Sequence, residues 1–253
     1  MNAGIIAAGW GRRLGGGPKA LTSVAGRALI DYVLDGLAAA GVDEVTCIVN
    51  EASRDVPAYV ARTGRHLSID WIIQTTPSSM HSFLIVLERL ARSGHSWHVM
   101  TTVDAICAPE TVASFARRAA LFRDADLVLG LTDVVDDEKP LHVSLQGADL
   151  ADLASADVGE GLDRFRVRAL GRDAAASPYV TTGLYRVSPS VLREKEAAAG
   201  FGALREFFAH VLTRGYGVYG LPIPPVVDVD RPDDVRAAEA LLRESSLSSR
   251  AGS

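Results

Sequence analysis

Along the chain, short apolar runs alternate with stretches whose apolar residues recur every three or four positions. Residues 3–9 (AGIIAAG) are apolar, end in glycine and predict a buried first strand. Residues 27–42 place Leu29, Ile30, Val33, Leu34 and Leu37 on one face and stop at Gly41, which predicts a helix with a glycine C-cap. Strands are predicted over 44–50, 67–74, 96–104 and 125–132. Helices are predicted over 56–64, 79–94 and 109–122, the last with proline in its first turn, where that residue is tolerated best.

After Thr132 the rhythm breaks. Residues 133–180 are polar, rich in Asp and Gly, and hold only short strand-like pieces, HVSL and RFRVRAL. A strand returns at 179–187, helical stretches lie around 191–198 and 203–212, and YGVYGLPI reads as another strand. VVDVDRPDDVRAAEALLRE then reads as a strand, an acidic turn and a helix. Strands alternating with helices predict parallel βαβ units covered on both faces. No repeat of 20–50 residues and no Pro/Ser linker divides the chain, so one domain is expected over 1–244. Its halves are 1–132 and 133–244, with a disordered polar tail at 245–253.

Composition narrows the class. Hydrophobic residues make up 48% and charged residues 23%, as in ordinary globular proteins. The net charge of −5 argues against a nucleic-acid partner, which favours a basic surplus. No apolar run approaches the roughly 20 residues that span a bilayer, and the N-terminus lacks a secretory layout. Cys47 and Cys107 lie in or beside apolar segments and read as buried thiols of a reducing, cytoplasmic setting. The six histidines show no metal-ligand clustering, and His95 and His98, flanking a strand start, are expected at the surface.

The stretch GIIAAGWGRRLGGGPKAL carries the chemistry. Ligands gather at the carboxyl ends of parallel strands, and the glycine-rich loop 9–17 lies behind the first one. Glycines turn the backbone tightly and bring N–H groups near anions, while Arg12, Arg13 and Lys19 repel one another unless an anion joins them. A dinucleotide loop needs a small residue where Leu14 stands, and a Walker A loop needs Gly-Lys-Ser/Thr, which is absent. A polyphosphate cradle of another type is implied.

Ile6-Ala7-Ala8-Gly9-Trp10-Gly11-Arg12-Arg13-Leu14, followed by Pro18-Lys19-Ala20-Leu21, resembles the signature of the nucleotidyltransferases that activate sugar phosphates and related phosphorylated alcohols. The resemblance continues in order along nearly the whole chain. It implies a Rossmann-like three-layer α/β fold of the nucleotide-diphospho-sugar transferase type, with a mostly parallel mixed sheet. The first half would bind the nucleotide and the second the acceptor. It also implies attack by an acceptor phosphate on the α-phosphorus of an NTP (CTP, UTP, GTP or dTTP), with pyrophosphate released.

By that resemblance Arg13 binds the triphosphate and Lys19 bridges the α-phosphate and the acceptor phosphate. The amides of Gly9 and Gly11 hold phosphate oxygens, and Ala7 and Ala8 line the base pocket. Mg²⁺ is the expected cofactor, held by Asp104 and Asp228, with Asp230 a rival for the second position. As a simpler role, Asp230 stands where a helix cap is natural, and Asp233 and Asp234 read as first-turn acids. Gln74 corresponds to a base-binding glutamine. Ser79 is either a base or ribose contact or a helix cap. Thr182 and Gly183 match the acceptor segment, the glycine letting the acceptor approach the backbone, although Thr181 replaces the family's usual Asn. Glu138-Lys139-Pro140 spells the family's acceptor tripeptide but lies too early. The resemblance also admits a homodimer.

Two other readings stay open at this point. One is a glycosyltransferase with Asp228-Val229-Asp230 as its metal motif; the other is a nucleotide-binding sensor without turnover.

Overall fold

The computed structural model describes residues 1–133, 140–146 and 161–251, with side chains up to residue 245. The predicted alternation is present: β1 (Asn2–Ala7), α1 (Leu29–Ala39), β2 (Glu44–Val49), α2 (Asp55–Ala61), β3 (Ser68–Ile73), α3 (Ser79–Ala91), β4 (His98–Thr102) and α4 (Pro109–Ala119). There follow β5 (Leu127–Thr132), β6 (Val180–Val187), α5 (Leu204–Thr213), β7 (Val218–Pro222) and α6 (Pro232–Ala251). Gly41 closes α1 in the left-handed conformation, at φ +75°.

Seven strands form one sheet in the order β7-β5-β6-β4-β1-β2-β3. β1 pairs in parallel with β2 and β4, β2 with β3, and β5 with β7. β6 runs antiparallel to both β4 and β5, which makes the sheet mixed. The chain leaves β1 toward β2 and β3, then returns to its other side with β4. That reversal opens a crevice at the carboxyl ends of β1 and β4.

Successive residues of β1 serve opposite faces. Ile5 belongs to the core that holds Leu29, Leu34 and Phe115 of α1 and α4; Ile6 belongs to the core that holds Phe83 of α3 and Phe207 of α5. Three layers result, as the nucleotide-diphospho-sugar transferase fold requires. The strand-like pieces of the polar segment pair with each other, Val143–Leu145 against Val167–Leu170. Glu138 and Lys139 lie outside the described residues. α6 continues through part of the polar tail expected to be disordered, as far as Ala251.

His98 departs from expectation. It is fully buried, its Nδ1 lies 2.5 Å from Oδ1 of Asn2, and Asn2 in turn donates to Ser93. β4 is central in the sheet, so its first residue has no route to the surface.

Candidate active site

The loop after β1 is held by its own backbone. Gly11 N–H donates to the Gly17 carbonyl at 3.0 Å, and Gly16 N–H donates to the Gly11 carbonyl at 2.8 Å. Gly15, Gly16 and Gly17 have φ of +92°, +83° and +102°, a succession that favours glycine three times. In this structure the Gly11 amide, expected to hold a phosphate oxygen, closes the loop. Arg12 and Arg13 stand exposed in the turn that this closure creates, a single 3₁₀ turn over Arg12–Leu14.

Beyond the loop the chain returns toward β1, with Lys19 N–H reaching the Gly9 carbonyl at 3.4 Å. This carries the Lys19 side chain inward to 9% exposure. Its ammonium donates to Asp104 and, at 2.5 Å, to Oδ1 of Asp230. Burial alone would lower the lysine pKa. The charges of Asp104 and Asp228, with hydrogen bonds to Asp104 and Asp230, outweigh it and hold the group well above its ordinary value. Burial likewise works against the Asp104 carboxylate, yet Lys19 keeps its pKa below the ordinary range. Lysine and aspartate are charged at any working pH.

Asp104 sits in the turn after β4. There Ala105–Ile106 pairs antiparallel with Val227–Asp228, and Val229 N–H donates to the Asp104 carbonyl at 3.1 Å. Asp228 stands opposite Ala105 in this register, so the two acids proposed for the metal are neighbours. The simpler role for Asp230, a helix cap, is not the one observed. The buried Asp234 accepts the N–H groups of Asp230 at 2.8 Å and Arg231 at 2.7 Å, which leaves the Asp230 carboxylate to Lys19.

A cavity of about 330 Å³ opens beside these acids, lined in part by Ser79, Asp104, Asp228, Thr182, Gly183 and Arg205. The two regions expected to hold nucleotide and acceptor thus meet at one hollow. Thr182 is buried and donates its hydroxyl to the Gly130 carbonyl at 3.1 Å. Gly183 has φ +77° inside β6, where the pairing with β5 is irregular. A Cβ there would meet Oγ1 of Thr102 at 2.5 Å, so this glycine seats β6 against the strand that delivers Asp104. Tyr185 completes the floor. Burial, then the charges of Asp228 and Asp104, keep its phenol protonated above its ordinary range.

Ala8 is partly buried, while Ala7 is 1% exposed and packs in the core that holds Ile5 and Leu29. Gln74 is exposed just past β3, and its N–H donates to the Val49 carbonyl. Ser78, not Ser79, occupies the N-cap position of α3, and its hydroxyl pairs with Nδ1 of His81 at 2.9 Å. Ser79 is exposed at the first helical position and faces the cavity.

Sequence reasoning missed Arg205 and Asn50. Arg205, in the first turn of α5, is the cationic side chain among those lining the cavity, and no motif marks it. Asn50 donates to the Ala8 carbonyl at 3.0 Å and accepts from Ser53, tying the end of β1 to the end of β2. A polar residue closing the apolar strand 44–50 was its only signal. Among the described residues no group of three or more His, Cys, Asp or Glu side chains is placed to enclose a metal ion.

A glycine-rich turn behind the first strand, a buried lysine between carboxylates and a cavity at the switch point of a mixed sheet fit a nucleotidyltransferase-type domain. Residues 3–172 match the MobA-like NTP transferase domain, and the chain belongs to that family. A stretch of 94 residues is 33% identical to the bifunctional protein GlmU of Psychrobacter arcticus, covering 36% of this chain and 20% of that one. Another of 161 residues is 31% identical to the CMP-5'-(3-aminopropyl)phosphonate synthase of Streptomyces rubellomurinus, covering 55% and 25%. The matched stretches thus span a quarter or less of these relatives' lengths.

Among solved structures, the inositol-1-phosphate CTP transferase from T. maritima superposes with a TM-score of 0.71 at 18% identity, covering 96% of each chain. A putative glucose-1-phosphate thymidylyltransferase from Bacillus anthracis superposes with 0.75 at 16%, also covering 96% of each. At these identities the likeness is one of fold. No helix among the described residues is long and apolar enough to cross a membrane.

Proposed function

We propose that this chain transfers a nucleoside monophosphate from an NTP, CTP being the first candidate, to the phosphate or phosphonate oxygen of a small acceptor. A sugar 1-phosphate or a phosphorylated polyol or alcohol is the expected acceptor. The observation that carries this reading is the seat of Lys19: a buried ammonium, directly behind a phosphate-type loop, at the acids that edge the cavity. The similarity to a CMP-5'-(3-aminopropyl)phosphonate synthase supports CTP.

In this reading an acceptor oxygen attacks the α-phosphorus in line and pyrophosphate leaves. The barrier is lowered by alignment and charge neutralisation, with no protein nucleophile. Lys19 neutralises charge shared between α-phosphate and acceptor, and Arg13, on the exposed turn, meets the leaving pyrophosphate. Gln74 and Ser79 face the base and ribose, and Thr182 and Gly183 shape the acceptor wall. Mg²⁺ fits Asp104 and Asp228. It is a hard cation that takes one or two carboxylates and fills its remaining positions with water and substrate phosphates, so two adjacent acids suit an ion that arrives with the nucleotide. When bound it supplies charge neutralisation to the triphosphate.

The test is pyrophosphate release from purified protein with Mg²⁺, each of four NTPs and a panel of phosphorylated and phosphonylated acceptors. Release that requires both CTP and an acceptor is expected. Hydrolysis of a nucleotide sugar in place of this would make the chain a glycosyltransferase, and nucleotide binding without turnover would make it a sensor.

A further inference from the structure

We propose that Asp230 is a positioning residue for Lys19, and that the two acids of the sequence Asp228-Val229-Asp230 divide their work, Asp228 toward the metal and Asp230 toward the lysine. This rests on the proposed nucleotidyl transfer and goes beyond it, since a metal pair of Asp104 and either acid would satisfy that chemistry equally.

The division is written in the geometry. Val229 is fully buried, and its N–H is fixed to the Asp104 carbonyl. In an extended segment the residues on either side of it project the opposite way, so Asp228 and Asp230 share the face that looks toward Asp104. They differ in what they face, although the charge of Asp228 also reaches the Lys19 ammonium. Asp228 lines the cavity with Asp104, whereas Asp230 does not line it and instead accepts from Lys19 at 2.5 Å. Asp104 is common to both, lining the cavity and accepting from the same ammonium.

Asp230 is also released for this task by a second acid. A carboxylate just before a helix is ordinarily drawn to the free N–H groups of the first turn. Here the buried Asp234 accepts the N–H groups of Asp230 and Arg231. The Asp230 side chain is left with the lysine as its partner 211 residues away.

The consequence concerns what happens when Asp104 turns to a cation. Lys19 then loses one of its two carboxylate partners, and a buried ammonium without a fixed partner is costly and disordered. Asp230, standing outside the cavity, keeps its hydrogen bond. It holds the ammonium at the lip of the site, aimed at the phosphates. Lysine suits this role because it carries a compact charge on a flexible stem. The chain has only three lysines, at 19, 139 and 195, among 26 basic residues, so a lysine at the core of the site stands out against an arginine-rich background.

The experiment compares Asp230→Asn, Asp230→Glu and Asp228→Asn in the full chain. The first readout needs no substrate: the ¹H–¹⁵N signal of the Lys19 ammonium, assigned with Lys19→Arg. A fixed ammonium exchanges its protons slowly. The exchange rate is expected to rise at least fivefold in Asp230→Asn and less than twofold in Asp230→Glu. The second readout is the rise in Tm on adding Mn²⁺ alone, expected within twofold of the parent in Asp230→Asn and abolished in Asp228→Asn. The third is pyrophosphate release, with kcat falling at least tenfold in Asp230→Asn, an unchanged KM for NTP, and partial rescue in Asp230→Glu. A Mn²⁺ response lost in Asp230→Asn as in Asp228→Asn would make Asp230 a metal ligand and overturn the proposal. An unchanged Lys19 signal would overturn it too. Absence of pyrophosphate release in the parent protein would refute the nucleotidyl-transfer reading, while the ammonium and Mn²⁺ readouts would still decide the role of Asp230.

Discussion

Gly183 of β6 stands so close to Thr102 of β4 that a methyl group on it would lie 2.5 Å from the threonine Oγ1 and 3.2 Å from Cβ of Ala105. Its φ of +77° adds a second bar to any side chain. Gly183→Ala is therefore expected to destabilise the fold by about 1–3 kcal/mol through strain and overpacking. Because the displaced segment leads straight into Asp104, kcat should fall as well. Urea unfolding with a parallel activity assay checks both. A variant with parental stability would mean that β6 has slack at this point.

Lys19→Ala removes the cation from between two carboxylates. A loss of about 3 kcal/mol in transition-state stabilisation, the scale of a single preorganised donor, predicts roughly a hundredfold lower kcat. Since the lysine pKa is held above its ordinary value, the parent enzyme should show no alkaline loss of rate from this group below the usual lysine range. Steady-state kinetics across pH 6 to 9.5 measure both effects.

Asp104→Asn keeps shape but removes the charge shared by cavity and lysine. Turnover should drop by two orders of magnitude or more, while Lys19 retains Asp230 and the fold loses only about 1–2 kcal/mol. Near-normal turnover with Mg²⁺ would remove Asp104 from the metal site. The depressed pKa of Asp104 also sets a sign. Its contribution to stability is complete above the ordinary carboxylate value and is lost as pH falls below it.

Arg205→Gln takes away the cavity's cationic wall on α5. The KM for the acceptor should rise about tenfold, the effect of losing one charged hydrogen bond of roughly 1.5 kcal/mol, with the KM for NTP unchanged. An unchanged acceptor KM would place the acceptor elsewhere in the hollow.

His98 gives a pH signature unrelated to catalysis. Burial, helped by neighbouring His95, lowers its pKa to about 4. The unfolded chain binds this proton first, so stability is complete above pH 6.5 and declines as pH falls toward 4. The loss totals on the order of 3 kcal/mol for a shift of this size. His98→Gln, which does not titrate, should flatten the slope of unfolding free energy in that window. An undiminished slope would assign it to other groups.

Much of this architecture was legible because it obeys local rules. The apolar runs gave strands and the three-to-four periodicity of residues 27–42 gave α1 with its Gly41 stop. The glycines between Gly9 and Lys19 marked the turn behind β1. Where the reading failed, the cause was tertiary. His98 looked like a surface residue because sequence shows a polar letter at a strand start, not the centrality of that strand. That the Gly11 amide bonds to the Gly17 carbonyl and the Ala7 side chain faces the core was likewise decided by the folded chain and not by the motif.

By itself, then, the sequence determined the order and type of the elements, the position of the loop and the set of acids available to it. Period and turn chemistry are properties of neighbours along the chain, and they need no third dimension. The partners of those acids were decided only when the sheet closed. Asp228 and Asp230 are two residues apart and chemically alike, yet the fold puts Asp228 on the cavity wall and gives Asp230 a hydrogen bond from a lysine 211 positions away, while Asp234 takes the backbone N–H groups. Such pairings depend on distances through space, which spacing along the chain does not encode.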